Sequence, residues 1–323
     1  MQQVDLSIII VHYKTRELTL QCLRSLEEFR PRATFEVILV DNGSNDGIAD
    51  VLSSEFPDVR FIETGRNEGF GQANNLGIVN ARGRYLLLLN SDTKLIEPLW
   101  DRLIQCMEAD PRVGCLGPQH VDGSGRHQVS YGKFPNLFTE ILRKIVDYQI
   151  ALDDLNIRAY LRDVCASEKQ VDWLSGSCLL LRREALRDAG LFDGSFFMYF
   201  EDIDLCRRIS RCGWKIVFCP HAKLIHYSGQ SVRQNILAGL VAYRQSQINF
   251  ARKHYGRPGD YMVRGLLFLK FGLIGLKALS EFAAARIFGK DAGLAYVKML
   301  YAKKVYGMIF RRNQLRSVEP VLA

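Results

Sequence analysis

The stretch YLLLLNSDT, Tyr85 to Thr93, decides how this chain is read: four leucines in a row, entered by an aromatic and left through Asn90, Ser91 and Asp92. An apolar run this short, without polar alternation, has the pattern of a strand covered on both faces. On an extended backbone Asn90 and Asp92 are two residues apart and point the same way. The strand therefore carries two oxygen-bearing side chains together to its carboxyl end. Hard ligands of this kind suit Mg2+ or Mn2+; a polar turn with Asp92 near a helix start is the plainer use of the same residues.

Three runs upstream share the pattern: LSIIIV (6–11), FEVILV (35–40) and VRFI (59–62), alternating with helical periodicity over 18–29, 47–56 and 69–81. The alternation predicts βαβαβαβ with a parallel sheet buried on both faces. Ligands of such sheets collect beyond the carboxyl ends of the strands, so the segments to inspect are HYKT (12–15), DNGSNDG (41–47), ETGRNEGFGQANN (63–75) and NSDT (90–93). All four are polar or glycine-containing. In the second, Asp41 can accept hydrogen bonds from a pyrimidine imide or ribose hydroxyls; the alternative is an Asx turn that caps the next helix through Ser44, Asn45 or Asp46. The glycines of GRNEGFGQANN do not fit the dinucleotide spacing GxGxxG, and the first turn has none.

Past Asp110 the pattern loosens through Gly114–Val171, then VDWLSGSCLLLRREAL (171–186) reads as loop, buried strand and helix start. A helix from about Asp202 to Cys212 and a strand WKIVFC (214–219) follow. Just before that helix, FFMYFEDIDLCRR (196–208) sets Glu201, Asp202 and Asp204 close together. Three such charges need solvent, basic neighbours or a cation to offset their repulsion. Asp204 reads as a helix-start acid facing Arg207 or Arg208.

Charge is unevenly spread. The net +8 lies in the tail: residues 255–323 hold 12 Lys and Arg against 4 Asp and Glu, and residues 1–254 balance at 31 against 31. From about Met262 the tail is apolar but interrupted by Lys270, Lys277 and Glu281 at helical spacing. It is broken too often for a spanning helix of ~20 apolar residues. Two amphipathic helices lying in the headgroup region of an anionic membrane, the second being KMLYAKKVYGMIFRR (298–312), account for both cations and apolar surface; helices packed on the body are the alternative. The cations lie among long apolar helices with no stacking groove or zinc spacing, so no specific nucleic-acid partner is expected. The 8 cysteines show no CxxC pair, and the opening residues do not read as a leader, which together predict a cytoplasmic chain with reduced, mostly buried thiols.

In their order and spacing, SIIIVHYKT, DNGSNDG, GRNEGFGQANNLG, NSDT, WLSGSCLLLRREAL, FFMYFEDIDLCRR and HYSGQS resemble glycosyltransferase family 2, and within it the bacterial dTDP-rhamnosyltransferase-like subgroup; the resemblance covers about residues 5–230. It implies an α/β GT-A fold, Rossmann-like and mostly parallel, followed here by the C-terminal helical extension. It also implies a nucleotide-sugar half over 1–115 and an acceptor and catalytic half over 116–230; the membrane-surface segment expected from the charge and apolar pattern of the tail is 231–323.

Residue by residue, the resemblance puts Val11 and Tyr13 at the base pocket and Asp41 on the base or ribose. Asn67, Gly69, Gln72 and Asn75 shape the nucleotide-sugar cleft, with Asn90 and Ser91 beside them. Asn90 and Asp92 stand where the family has Asp-x-Asp, and the Asn removes one negative charge that the diphosphate would help to supply. Asp202 is the expected catalytic base, with Glu201 orienting the acceptor or raising its neighbour's proton affinity. His226 is an expected metal ligand beside Asp92, although a lone histidine is more often structural. Trp173, Gly176, Phe197 and Tyr199 form the acceptor side, or else pack in the core.

The implied activity is inverting transfer of a sugar, L-rhamnose from dTDP-β-L-rhamnose, onto a hydroxyl of a polyprenyl-linked or glycan acceptor of the cell envelope, with Mg2+ or Mn2+. The expected location is the inner face of the cytoplasmic membrane, peripherally bound, and a homo-oligomer is compatible with it. Another UDP- or dTDP-sugar of the same fold class, or a non-catalytic nucleotide- or membrane-binding protein, is the alternative.

Overall fold

The computed structural model describes residues 4–136, 139, 155–229, 235–289 and 291–310. The end of the HYSGQS motif and Arg311 and Arg312 of the second expected amphipathic stretch lie outside the described residues. The chain forms two compact units, Met1–Asp193 with Glu201–Ser231, and Gly194–Phe200 with Val232–Ala323.

In the first unit the four apolar runs become strands β1 (Leu6–His12), β2 (Phe35–Asp41), β3 (Arg60–Glu63) and β4 (Tyr85–Asn90), separated by helices α1 (Arg16–Glu28), α2 (Ile48–Glu55) and α3 (Phe70–Asn80). All neighbouring pairs among these strands are parallel, with β1 between β2 and β4. The leucines of β4 are 0 to 2% exposed. They divide between the two faces of the sheet, Leu87 and Leu89 in one core cluster and Leu86 and Leu88 in the other. That is why the run shows no alternation; truncating one of them to Ala costs about 2–5 kcal/mol.

Beyond β4 the strands no longer all run one way. Strand β5 (Thr93–Leu95) leads to α4 (Leu99–Ala109) and β6 (Val113–Val121), followed by the short β7 (His127–Gln128), β8 (Tyr131–Gly132), α5 (Leu155–Val164), β9 (Lys169–Gln170) and β10 (Trp173–Leu174). Strand β11 (Cys178–Arg182), helices α6 (Arg183–Ala189) and α7 (Glu201–Arg211), and the long β12 (Lys215–His226) complete the unit. The main sheet runs β3-β2-β1-β4-β11-β6-β12-β5, with β7 on β6 and β9 on β12. Strand β11 is antiparallel to both β4 and β6.

Strand β6 departs from the loosened pattern expected over Gly114–Val171. All nine of its residues are buried, but the sequence VGCLGPQHV mixes glycine, proline and polar residues and so lacks a strand signature. Pro118 lies beyond the residues paired with β11 and stands opposite Cys219 of β12 just where that register shifts, a place in a ladder where proline is tolerated.

The second unit is built on α8 (Ile236–Ile287) and α9 (Gly293–Phe310). Helix α8 is two helices merged across a kink at Gly256 (φ 66°, ψ −160°), with Pro258 following. Ile248, Leu267, Phe271, Ala302 and Val305 form its own small core. No helix among the described residues is long and apolar enough to cross a membrane.

Candidate active site

Strand β4 ends in a turn that sends the chain into β5, and β5 pairs antiparallel with the end of β12, Thr93 opposite His226. This register carries His226 from far along the chain to Asp92. The two side chains meet with Nε2 3.3 Å from Oδ1, both mostly buried. The turn is tied down by Tyr227 N–H donating to the Asp92 carbonyl at 2.9 Å and by Thr93 Oγ1 donating to the Asn90 carbonyl at 2.7 Å. Ser91 Oγ lies 3.0 Å from Thr15 Oγ1.

Adjacent ligands of an octahedral ion with ~2.1 Å bonds are separated by ~3 Å, so the Asp92–His226 pair fits Mg2+ or Mn2+ without rearrangement. Asn90, at the end of β4, offers a further oxygen: its Oδ1 is buried and has no hydrogen-bond partner among the described residues. A buried acceptor without a donor suits a cation, and a hard O/N set of this kind fits a divalent metal.

The loops after β1, β2 and β3 are locked to one another. His12, fully buried at the end of β1, sits opposite Asp41 in the sheet. Its Nδ1 is 2.8 Å from Thr19 Oγ1 and its Nε2 3.0 Å from an Asp46 carboxylate oxygen. Asp41 is buried and both its oxygens accept from Ser44 N–H at 3.2 Å, while α2 has Gly47 at its N-cap and receives no side-chain cap from Ser44, Asn45 or Asp46. Asn42 donates to Asn67 Oδ1 and accepts from Glu68 N–H, and Asn67 Oδ1 also accepts from Gly69 N–H. Gly43 closes this contact. A Cβ on it would stand 2.7 Å from the Arg66 backbone, and its φ of +80° is left-handed.

Val11 and Tyr13 are half-buried beside this cluster at the end of β1, and Gln72 is half-buried on the first turn of α3. Asn75 is committed to the main chain of Phe192, donating to its carbonyl at 2.8 Å and accepting its N–H at 2.9 Å. That double bond fixes α3 against the segment leading toward α7.

The three acids at the start of α7 are offset in three different ways. Asp204, fully buried, accepts from Arg208 Nε at 2.9 Å, and the same guanidinium donates to the carbonyls of Ala189, Gly190 and Leu191. Asp202 accepts main-chain N–H bonds on both oxygens, from Ile203 at 2.8 Å and from Gly176 at 2.9 Å, which sets the plane of the carboxylate. Glu201 is buried, with Oε2 unpartnered among the described residues. Burial first, then the charges of Asp202 and Asp204, push its carboxyl well above the usual range, so it resists ionisation.

Gly176 joins the two halves of the site. Its N–H holds Asp202, and the carbonyl of the next residue, Ser177, accepts Asn90 N–H at 2.9 Å. Asp202 and the Asn90–Asp92 tip thus flank one short loop at the same sheet edge. A side chain at Gly176 would meet the Phe70 ring at 3.1 Å and Asp202 Oδ2 at 3.5 Å. Trp173 stands on Gly132 and donates Nε1–H to the Lys133 carbonyl at 2.9 Å, half-buried against the core.

Phe197 and Tyr199 belong to the other unit. There Met198 and Ser195 carbonyls accept from Ser246 and Asn249 of α8, both at 2.8 Å, and the Tyr199 ring lies edge-on to Tyr243. Tyr199 and Phe200 both have positive φ, 69° and 67°. Two consecutive non-glycine residues in that region store strain, of order 1–3 kcal/mol each, immediately before Glu201.

Two residues of the site are not among the expected site residues: His120, outside the motifs, and His12, inside the first of them. His120 in β6 has Nδ1 3.2 Å from Ser177 Oγ and its ring edge-on to His226, with centroids 5.6 Å apart. Burial, then the proximity of His226, lowers its pKa to about 3, so it is a neutral wall at ordinary pH. Nothing in the residue pattern around it marks it out. His12, by contrast, stands visibly at the end of a buried strand, and that position is a usable signal.

The sequence profile described as "Glycosyl transferase family 2" matches residues 7–190. An N-acetylglucosaminyl-diphospho-decaprenol L-rhamnosyltransferase of Mycobacterium tuberculosis is 31% identical over 253 residues, 74% of this chain and 82% of that protein. Rhamnosyltransferase WbbL of Escherichia coli is 29% identical over 168 residues, 50% of this chain and 61% of its own length. Among solved structures, a mannosyltransferase from Pyrobaculum calidifontis in complex with GDP-Man and Mn2+ superposes with TM-score 0.54 at 15% identity, covering 95% of this chain and 86% of that one.

Proposed function

The chain belongs to glycosyl transferase family 2 and is a glycosyltransferase of GT-A fold, and from that premise we propose that it transfers L-rhamnose from dTDP-β-L-rhamnose to a hydroxyl of a polyprenyl-diphosphate-linked saccharide, with inversion. The observation that carries the catalytic part of the reading is the Ser175–Ser177 loop, which fixes the Asp202 carboxylate beside the Asn90–Asp92 tip. The lipid-linked acceptor and the rhamnosyl donor rest on the relatives, two of which are named as rhamnosyltransferases.

Asp202, oriented by Gly176 and Ile203, takes the proton of the acceptor hydroxyl as that oxygen bonds to the anomeric carbon; the carbon–oxygen bond to the diphosphate breaks and its electron pair leaves with dTDP. Glu201, kept neutral by burial, adds no second charge beside the base and leaves the acceptor's proton to Asp202. Asp92 and His226, with Asn90, would hold Mg2+ or Mn2+. The bound ion would supply charge neutralisation at the leaving diphosphate. The loops of Val11, Tyr13, Asp41, Asn67, Gly69 and Gln72 form the donor side, within residues 1–115. Residues 116–230, with Trp173 and Gly176, form the acceptor side.

The tail serves the acceptor. In α8, Met262, Leu266, Leu269, Leu273 and Leu276 recur at alternating spacings of four and three, which puts them on one helix face, and they are 43 to 71% exposed. Lys270 and Lys277 are exposed next to this stripe. An apolar stripe flanked by cations lies in the headgroup layer of an anionic bilayer, where a polyprenyl-linked acceptor is met in the membrane plane. This supports peripheral attachment to the inner face of the cytoplasmic membrane.

The test is transfer itself. Incubating the chain with dTDP-β-L-rhamnose, Mn2+ and a polyprenyl-diphosphate N-acetylglucosamine should release dTDP in step with an α-rhamnosylated product. Release from another nucleotide sugar and not from dTDP-rhamnose would reassign the donor. No release from any donor would remove the catalytic reading of the site.

A further inference from the structure

A second cluster of ligands lies where α4, β12 and the turn before β9 meet, built from residues that the transfer reaction does not use. Cys106 of α4 and Cys219 of β12 have their sulfurs 3.5 Å apart, and both are free thiols. A Glu168 carboxylate oxygen joins them, all three ligand atoms lying within 4.8 Å of one another. Among the described residues no other three His, Cys, Asp or Glu side chains meet this closely. The three come from distant parts of the chain, so tertiary structure and not a local turn assembles them.

The strand around Cys219 is shaped for a sulfur ligand. The β12 register against β6 jumps from Cys219 opposite Pro118 to Lys223 opposite Gln119, which leaves Pro220, His221 and Ala222 outside that ladder. Burial pushes the Cys219 thiol up. Against it act the hydrogen bond with Cys106 and the main-chain N–H groups of His221 and Ala222, while the Glu168 charge pushes the same way as burial; Cys106 is pushed up to about 12 by burial and by both partners, so the two thiols hold their protons until a cation replaces them. N–H donors behind a cysteine sulfur orient it and stabilise the thiolate that binds metal.

Spacing and softness point the same way. Two thiolates on a tetrahedral ion with ~2.3 Å bonds stand ~3.8 Å apart, near the separation found here. A pair of sulfurs with one carboxylate selects zinc over Mg2+ or Mn2+, the opposite preference to that of Asp92 and His226. Glu168 is exposed and Cys106 half-buried, so an ion has a way in.

We propose that Cys106, Cys219 and Glu168 bind one Zn2+, with solvent as fourth ligand. Binding displaces two thiol protons to solvent and ties α4 to β12 and to the turn that enters β9.

The experiment uses the full chain, reduced and stripped by a chelator, titrated with Co2+. One equivalent should raise a sulfur-to-cobalt charge-transfer band in the near ultraviolet, which oxygen and imidazole ligands cannot produce; Zn2+ should abolish it and Mg2+ should not. Cys106→Ser with Cys219→Ser should remove the band, and Glu168→Gln, an exposed substitution, should weaken Co2+ affinity about tenfold or more. The proposal is overturned if the unaltered folded chain shows no such band, or if the band survives in the double variant. A chain whose intact mass shows a Cys106–Cys219 disulfide under reductant, with no cobalt uptake, overturns it as well. Should the double variant not fold, as circular dichroism reports, the unaltered chain and Glu168→Gln decide the matter.

Discussion

At the carboxyl edge of the sheet, charged groups are satisfied inside the fold: Asp204 by Arg208, Asp202 by two main-chain N–H groups, Asp92 by His226. Along the second half of α8 the apolar groups are the ones left over, with Leu269, Leu273 and Leu276 each more than 60% exposed. The edge uses its residues to fix positions to a few tenths of an ångström, which proton transfer requires. The helix face fixes nothing within its own unit and offers area instead, which suits a fluid, imprecise partner such as a bilayer. One chain thus holds a site that tolerates little change and a surface on which single positions are interchangeable.

The largest effect should come from the edge. Asp202→Asn removes the proposed base while keeping the size of the side chain, and transfer should fall about 10²–10⁴-fold with nucleotide diphosphate affinity unchanged; a variant transferring at near the original rate would dismiss Asp202 as base. Next, His226→Ala should raise the Mn2+ concentration needed for half-maximal dTDP binding about tenfold or more, read by calorimetry, because it deletes one of the two proposed ligands held 3.3 Å apart.

On the helix face, Leu269→Lys with Leu273→Lys should lower binding to anionic vesicles at least tenfold while leaving the thermal midpoint in place, given that burial of each leucine is worth about 1.5–3 kcal/mol. Unchanged sedimentation with vesicles would dissolve the contrast between the two regions. Gly43→Ala should destabilise by about 1–3 kcal/mol in denaturant unfolding, since its Cβ would strike the Arg66 backbone at a left-handed φ.

The smallest effect is the most diagnostic of the acids. Glu201 binds its proton more tightly folded than unfolded, so its contribution is complete below the ordinary value of 4.5 and is lost as pH rises through the raised folded value. The melting temperature should therefore fall toward alkaline pH. Glu201→Gln should flatten that fall and melt higher than the unaltered chain there; parallel curves for the two would mean that Glu201 is ionised without penalty.

Much of the body is legible in residue type. The runs ending at Val11, Val40, Ile62 and Leu89 are four parallel strands within a residue or two, because continuous burial leaves an unmistakable apolar pattern. Strand β6 is not legible in the same way, since its glycines and proline speak for a loop while only its neighbours β11 and β12 make it a strand. Helical spacing leaves Asp204 a choice of Arg207 or Arg208, and the fold chooses Arg208, whose guanidinium also reaches three carbonyls. The tie of Phe197 and Tyr199 to α8 is invisible in the sequence, because main-chain carbonyls that accept from Ser246 and Asn249 leave no mark on side-chain type.

Order and composition along the chain were enough to set the first four strands and the helices between them, because local burial and periodicity are written in residue type. That His226 meets Asp92, that Gly176 holds Asp202, and that Cys106, Glu168 and Cys219 converge was left to the packing of distant segments. Those meetings depend on strand register and on a bulge, and a shift of one residue in either would send the same side chains to the opposite face.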